Sequence, residues 1–213
     1  DSDMFRWVIR RKIPRVVYFS SSAAYPTWMQ ANVSDRMRLW EGDIRFGGID
    51  VGIPDQTYGW AKLTGELLAQ HAAASGSRVH IFRPFSGYGE DQDLDYPFPS
   101  FIDRAKRRAD PFEIWGDGTQ TRDFIHIEDI VGAVLKAIEE DVEGPVNLGW
   151  GRATSFNELA ELVTRCEGYS PEIRHLTDKP VGCMYRVSDP LYMKSFYTPK
   201  VTLEEGIERA LNA

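Results

Sequence analysis

The chain has 213 residues, 42% of them hydrophobic, and a net charge of −7. That length and apolar content suffice for one or two globular domains with a real core, and acids and bases are interspersed without a basic stripe, which argues against nucleic acid as a partner. Cys166 and Cys183 read as reduced thiols, the four histidines (His71, His80, His126, His175) lack ligand spacing, and no apolar run approaches the ~20 residues of a membrane span.

No signal peptide opens the chain, so a soluble cytoplasmic protein is the expectation. Ser2 can cap a short helix with Met4, Phe5, Val8 and Ile9 on one face. Residues 15–20, "RVVYFS", read as a short buried strand that ends on Ser20, Ser21 and Ser22. Residues 26–57 mix aromatics and charges without a period. From Tyr58 to Ser75 the alanines, leucines and glutamate predict a strong helix, stopped at Gly76. "RVHIFRP" (78–84) is a second strand, and 85–97 form a loop rich in Gly, Asp and Pro. A helix follows over 99–108, then a strand at "FEIW" (112–115), a turn at "GDG" (116–118) and a strand fragment at "DFIHI" (123–127).

"EDIVGAVLKAIEE" (128–140) is an amphipathic helix, and "PVNLG" (145–149) another strand. "GWG" at 149–151 follows a strand but opens no helix, and reads as a turn. Ser155 with Glu158 has the form of a capping box for a helix ending near Gly168. "EIRHL" (172–176) is a strand, and Thr202 with Glu205 caps the last helix. Strands alternating with helices predict an α/β fold with a parallel sheet. Its carboxyl ends are where ligands bind.

"YGWAK" places Tyr58 and Lys62 four apart, on one face of a helix. An ammonium ~4 Å from a phenol, at an effective dielectric near 20, favours the phenolate by about 4 kcal/mol. Such a phenol can serve as general acid or base. The pair is also compatible with a surface helix whose tyrosine packs and whose lysine is solvated. Context favours chemistry: a hydroxyl at the end of the serine strand can sit beside the phenol, both aimed at one substrate oxygen. At least one of the three serines then serves only to cap the strand end.

With these pieces in hand, the chain resembles the extended short-chain dehydrogenase/reductase family, in its nucleotide-sugar epimerase/dehydratase branch. "VVYFSSSAAYP" looks like the strand carrying that family's catalytic Ser/Thr, and "YGWAK" matches its YxxxK. "RPFSGYG", "IWGDGTQTRDFIHIEDI", "PVNLG", "RVSD" and "FYTPKVTLEEGI" follow in the family's order. The resemblance implies a partial doubly wound, Rossmann-type parallel sheet with a smaller C-terminal α/β substrate domain. Residues 1–85, rejoined by 128–149, would belong to the dinucleotide-binding domain, and 86–213 to the nucleotide-sugar domain.

The same resemblance assigns roles. Tyr58 would be the acid/base, with Lys62 holding the phenol acidic and binding the nicotinamide ribose of NAD, a cofactor favoured over NADP. Ser21, counted back from Tyr25, or Ser22, counted forward from Phe19, would be the hydroxyl partner. Pro84 and Phe85 would lie near the nicotinamide. Ser86, standing where asparagine is common, would face the substrate phosphates. Arg122 and Arg186 would clamp a diphosphate, since guanidinium suits bidentate contact, although each could instead be a surface ion pair. Asp189 would accept from a ribose or sugar hydroxyl.

Dehydratases of this branch carry an Asp-Glu pair after the catalytic Ser/Thr. Here small residues stand there, Ser22-Ala23 or Ala23-Ala24. The 3,5-epimerases and 4-keto-reductases use a cysteine nearby, and none precedes Cys166. The resemblance therefore points to a 4-epimerase of a UDP- or GDP-sugar, acting through a keto intermediate. The alternatives are a dehydratase, decarboxylase or reductase of the same family, and a catalytically dead binding module. The family's glycine-rich strand–turn–helix, which holds the dinucleotide pyrophosphate, is not in this sequence, and only 19 residues precede Ser20. The expectation is a truncated form with little turnover by itself, working as a homodimer or with a complementing chain.

Overall fold

A computed structural model describes residues 1–34, 37–46 and 52–213. Helix α1 (Ser2–Arg11) leads into strand β1 (Arg15–Phe19), and short 3-10 turns at Ser22–Ala24, Thr27–Gln30 and Glu41–Asp43 follow. Then come α2 (Gln56–Ala74), β2 (Arg78–Pro84), β3 (Ser86–Tyr88), α3 (Pro97–Lys106), β4 (Phe112–Trp115), β5 (Thr121–Arg122) and β6 (Phe124–His126). The remainder is α4 (Ile127–Glu139), β7 (Pro145–Leu148), β8 (Thr154–Ser155), α5 (Phe156–Glu167), β9 (Ile173–Leu176), β10 (Tyr185–Arg186), α6 (Leu191–Lys194) and α7 (Leu203–Asn212). The fold is α/β, built on parallel pairings, as the alternation of elements predicts.

The principal sheet is three-stranded and parallel, in the order β1-β2-β7. Ser20, Phe85 and Gly149 follow its three strands at one end. Parallel pairs β3–β6 and β4–β9, and the small sheet β10-β5-β8, complete the fold. Helices α1 and α2 pack on one face of β1 and β2 through Phe5, Val8, Tyr18, Ala69, Ala72 and Ile81. Phe82, Ile130, Val134, Val146 and Leu148 form a second core with α4. Met193, Phe196 and Tyr197 also pack there, so the segment around α6 returns to the principal sheet. A third core joins α3, α5 and α7 around Phe101, Phe112, Leu159 and Ile207.

Strand β1 differs from the buried strand expected of its composition. It is an edge strand, and only Tyr18 is buried; Val17 and Phe19 are 36% and 44% exposed. Alternation sends Tyr18 toward α1 and α2 and its neighbours to the opposite face, which α4 covers only over β2 and β7. Helix α1 likewise buries Phe5 and Val8 but exposes Met4, and Asp1 rather than Ser2 is its N-cap. The loop expected over 85–97 contains the short strand β3, paired in register with β6. Ser155 caps α5 as expected, its Oγ accepting from the Glu158 amide at 3.1 Å, while the Glu158 carboxylate turns to Arg152. Thr202 and Glu205 form the full capping box of α7.

Candidate active site

The end of β1 and the first turn of α2 are knit together. The Asp55 amide donates to Ala23 O at 3.0 Å, and the Gly59 amide to Asp55 O at 2.7 Å. A Cβ on Gly59 would sit 2.4 Å from Ala23 O, so a glycine beside Tyr58 lets the helix close onto the serine loop. Lys62 Nζ donates to Phe19 O at 2.9 Å, fixing the helix to the strand end, and lies 5.6 Å from the Tyr58 ring centroid. The ammonium therefore lies over the phenol ring, within cation–π range. The Tyr58 side chain is 57% exposed, at the mouth of a cleft.

That cleft has a volume of about 650 Å³ and is lined by Ser20, Ser21, Ser22, Tyr58, Pro84, Phe85, Ser86, Arg122 and Arg186, among others. The three serines differ in what holds them. Ser20 is buried and donates from Oγ to Glu66 Oε1 at 2.5 Å. Ser21 Oγ accepts from the Ala23 amide at 3.1 Å, so it caps the 3-10 turn and keeps its hydroxyl proton for another partner. Ser22 is 5% exposed and lines the cleft beside it.

Beneath the serines runs a buried polar network. Arg83 Nε and Nη2 donate to the two Glu66 oxygens at 2.8 and 2.7 Å, and both side chains are 1% exposed. Arg83 Nη1 also donates to the Tyr25 hydroxyl and to Glu41 O, and Tyr25 donates to Asn147 Oδ1 at 2.7 Å. The ends of β1, β2 and β7 are thus tied to one another and to α2 by hydrogen bonds.

At the far wall, Arg122 stacks on the Phe156 ring at 5.4 Å and donates to Thr121 O at 2.9 Å. Burial pulls its pKa below the ordinary guanidinium value; Cys183 opposes this and the neighbouring Arg186 adds to it. Arg186 donates from Nη2 to Asp55 Oδ2 at 2.7 Å and from Nε to Gln30 Oε1. Two adjacent guanidinium groups at the edge of a cleft suit a polyanion. A second hollow of about 340 Å³ shares Arg122, Tyr96 and Pro97 with the first and continues between Phe101, Trp115, Gln120 and Phe156.

Residues 2–149 match the family described as NAD dependent epimerase/dehydratase. The chain belongs to that family. It is 31% identical over 204 residues to GDP-mannose 3,5-epimerase of Arabidopsis thaliana, covering 92% of this chain and 52% of that protein. It is 35% identical over 140 residues to dTDP-4-dehydro-6-deoxy-D-allose reductase of Streptomyces bikiniensis, covering 63% of this chain and 43% of that one. UDP-glucose 4-epimerase of Thermotoga maritima, solved with UDP-glucose, superposes with a TM-score of 0.82 at 25% identity, over 98% of this chain and 66% of that one. The chain spans about half the length of the curated relatives it matches first.

Of the residues assigned through the resemblance to this family, the cleft brings together Ser21, Ser22, Tyr58, Pro84, Phe85, Ser86, Arg122 and Arg186. Lys62 lies over the Tyr58 ring and is not part of the cleft lining. Asp189 is not brought there. Its Oδ1 accepts from the Leu191 amide at 3.0 Å, at the start of α6 and on the side of Glu41. An aspartate two residues before a short helix has local amides to satisfy, and that bond holds it. Asp55 and Gln30, the two partners of Arg186, were not foreseen. Both lie in the aperiodic stretch 26–57, where the one available signal was an aspartate just before a helix.

Proposed function

We propose that the cleft binds a UDP- or GDP-hexose and that the protein serves its NAD-dependent epimerisation at C4 through a keto sugar. The observation that carries this reading is the convergence of a phenol, two strand-end hydroxyls and two guanidinium groups on one cleft. Arg122 and Arg186 hold the diphosphate. Tyr58 removes a proton from the sugar hydroxyl and later returns it, and Ser21 or Ser22 orients that hydroxyl and shares its proton. Lys62 holds the phenol in place and supports its negative charge across the ring. Pro84, Phe85 and Tyr58 form an apolar wall carrying one phenol, which suits a nicotinamide ring, so these residues with Lys62 would hold that end of NAD. The bound dinucleotide supplies hydride acceptance and return. Residues 1–85 and 128–149 carry the cofactor side in this reading, and 86–213 the sugar-nucleotide side.

Calorimetry with UDP, GDP and UDP-glucose tests the binding half. Saturable binding weakened roughly tenfold or more by Arg122→Gln is expected, since a charge-assisted contact is worth about 1.5–3 kcal/mol. Absence of binding by any of these nucleotides would overturn the reading. Product analysis with added NAD⁺ tests the chemistry: whatever turnover the chain supports leaves sugar mass and NADH absorbance unchanged, and Tyr58→Phe stops it without weakening nucleotide binding. The reductase relative keeps a second reading in view, a keto-sugar reduction, which would consume NADH.

A further inference from the structure

Arg186 does not face the cleft freely. One edge of its guanidinium is bonded through Nε to Gln30, which is 1% exposed and itself fixed by donating to Tyr25 O at 3.0 Å and Pro26 O at 3.2 Å. The other edge donates to Asp55 Oδ2 at 2.7 Å; the Arg186 and Asp55 side chains are 15% and 34% exposed. The Gln30 contact belongs to the framework. The Asp55 contact is the one that opens on the cleft, which both residues line.

Asp55 is also the N-cap residue of α2. An aspartate in that position ordinarily accepts from the amides of the first helical turn. This one makes no such bond, because its carboxylate is turned to Arg186. The turn that delivers it continues through Gln56 at φ 48, a left-handed backbone uncommon without glycine. Tyr58 is three residues beyond Asp55.

We infer that Asp55 is an internal stand-in for the diphosphate, a carboxylate that occupies Arg186 until a more highly charged anion displaces it. This deepens the nucleotide-sugar reading and rests on it. A diphosphate engages Arg122 and Arg186 together, so it outcompetes a single carboxylate. A monoanion gains nothing by the exchange. Once released, the Asp55 carboxylate is placed to cap the amides of the helix that carries Tyr58. Occupation of the diphosphate site is thereby linked to the order of the catalytic helix.

The test is Asp55→Asn, which keeps the size and N-cap capacity of the side chain and removes its charge. Calorimetry with UDP and with inorganic pyrophosphate, at one fixed salt concentration, should show the variant binding both roughly five- to tenfold tighter than the native chain, the scale of removing a partly buried competing ion pair. In an Arg186→Gln background the same change should have little effect, a coupling that a merely structural aspartate would not produce. Asp55→Ser, also a good cap, repeats the measurement if the asparagine variant folds poorly. Native binding of UDP with equal or weaker binding by both Asp55 variants would overturn the stand-in and leave the nucleotide-sugar reading intact. Failure of native and variant chains alike to bind either anion would overturn both.

Discussion

Replacing Arg83 by methionine removes one partner of a fully buried ion pair and keeps most of the aliphatic volume. Among the described residues Glu66 then retains only the Ser20 hydroxyl as donor, having lost two guanidinium bonds of 2.8 and 2.7 Å in a site 1% exposed. Leaving a carboxylate uncompensated in such a place costs about 3–5 kcal/mol. The lost bonds to the Tyr25 hydroxyl and Glu41 O put the expected value toward the upper end. Urea unfolding followed by tryptophan fluorescence at pH 8 measures it, with the slope checking that the transition stays two-state. The double variant Glu66→Leu with Arg83→Met removes both charges together. It should recover most of the loss, since apolar replacement of a whole buried pair is often neutral. An Arg83→Met penalty below about 1 kcal/mol, or a double variant as unstable as the two single losses added, would refute the claim that this pair clamps the Tyr58 helix to the strand ends.

Asp123 is fully buried and accepts from the amides of Trp150, Gly151 and Ser188 and from the Ser188 hydroxyl; burial nevertheless pushes its acid up to about 6. A folded-state value above the ordinary one stabilises the fold below about pH 4 and loses that contribution as pH rises through 6, about 3 kcal/mol for two units. Asp123→Asn should flatten the melting-temperature profile between pH 4 and 6, and an unchanged profile would count against the assignment. Ser155→Ala removes the α5 cap and should cost about 1 kcal/mol in urea unfolding. Leu135 is 62% exposed on α4, in line with exposed Val131 and Ile127 at helical spacing. Leu135→Lys should leave stability within about 0.5 kcal/mol and lower binding of an apolar dye.

The elements most legible in the sequence were those whose local chemistry agrees with their surroundings. Strand β2 and strand β4 run over the residues that composition alone marks, 78–84 and 112–115. Helix α5 stops at Gly168, whose φ of 72 is what a glycine after a helix supplies. The two-residue strands β5, β8 and β10 carry no period to read, since tertiary pairing alone makes them strands. Edge and centre are indistinguishable in an apolar run of five residues, which is why β1 reads as buried.

Side-chain commitments were harder to see, yet one was open to inference. Gly59, Leu63, Glu66 and Ala69 lie on the inward stripe of α2 at helical spacing, and all are buried. A glutamate on such a stripe requires a buried cation or donors, because an isolated charge does not survive there. The residue types available to meet it were few, and an arginine closing the neighbouring strand was one of them. Asp55 is the converse case. It stands at the N-cap of α2, but the Arg186 guanidinium outcompetes the amides for its carboxylate. A charged donor makes the stronger bond, and its presence depends on chain folding back from 131 residues away. Local pattern can therefore name where a polar side chain must find a partner, while choosing among partners belongs to the folded chain. The proposed exchange of Arg186 from Asp55 to a diphosphate is that same choice, made again when ligand arrives.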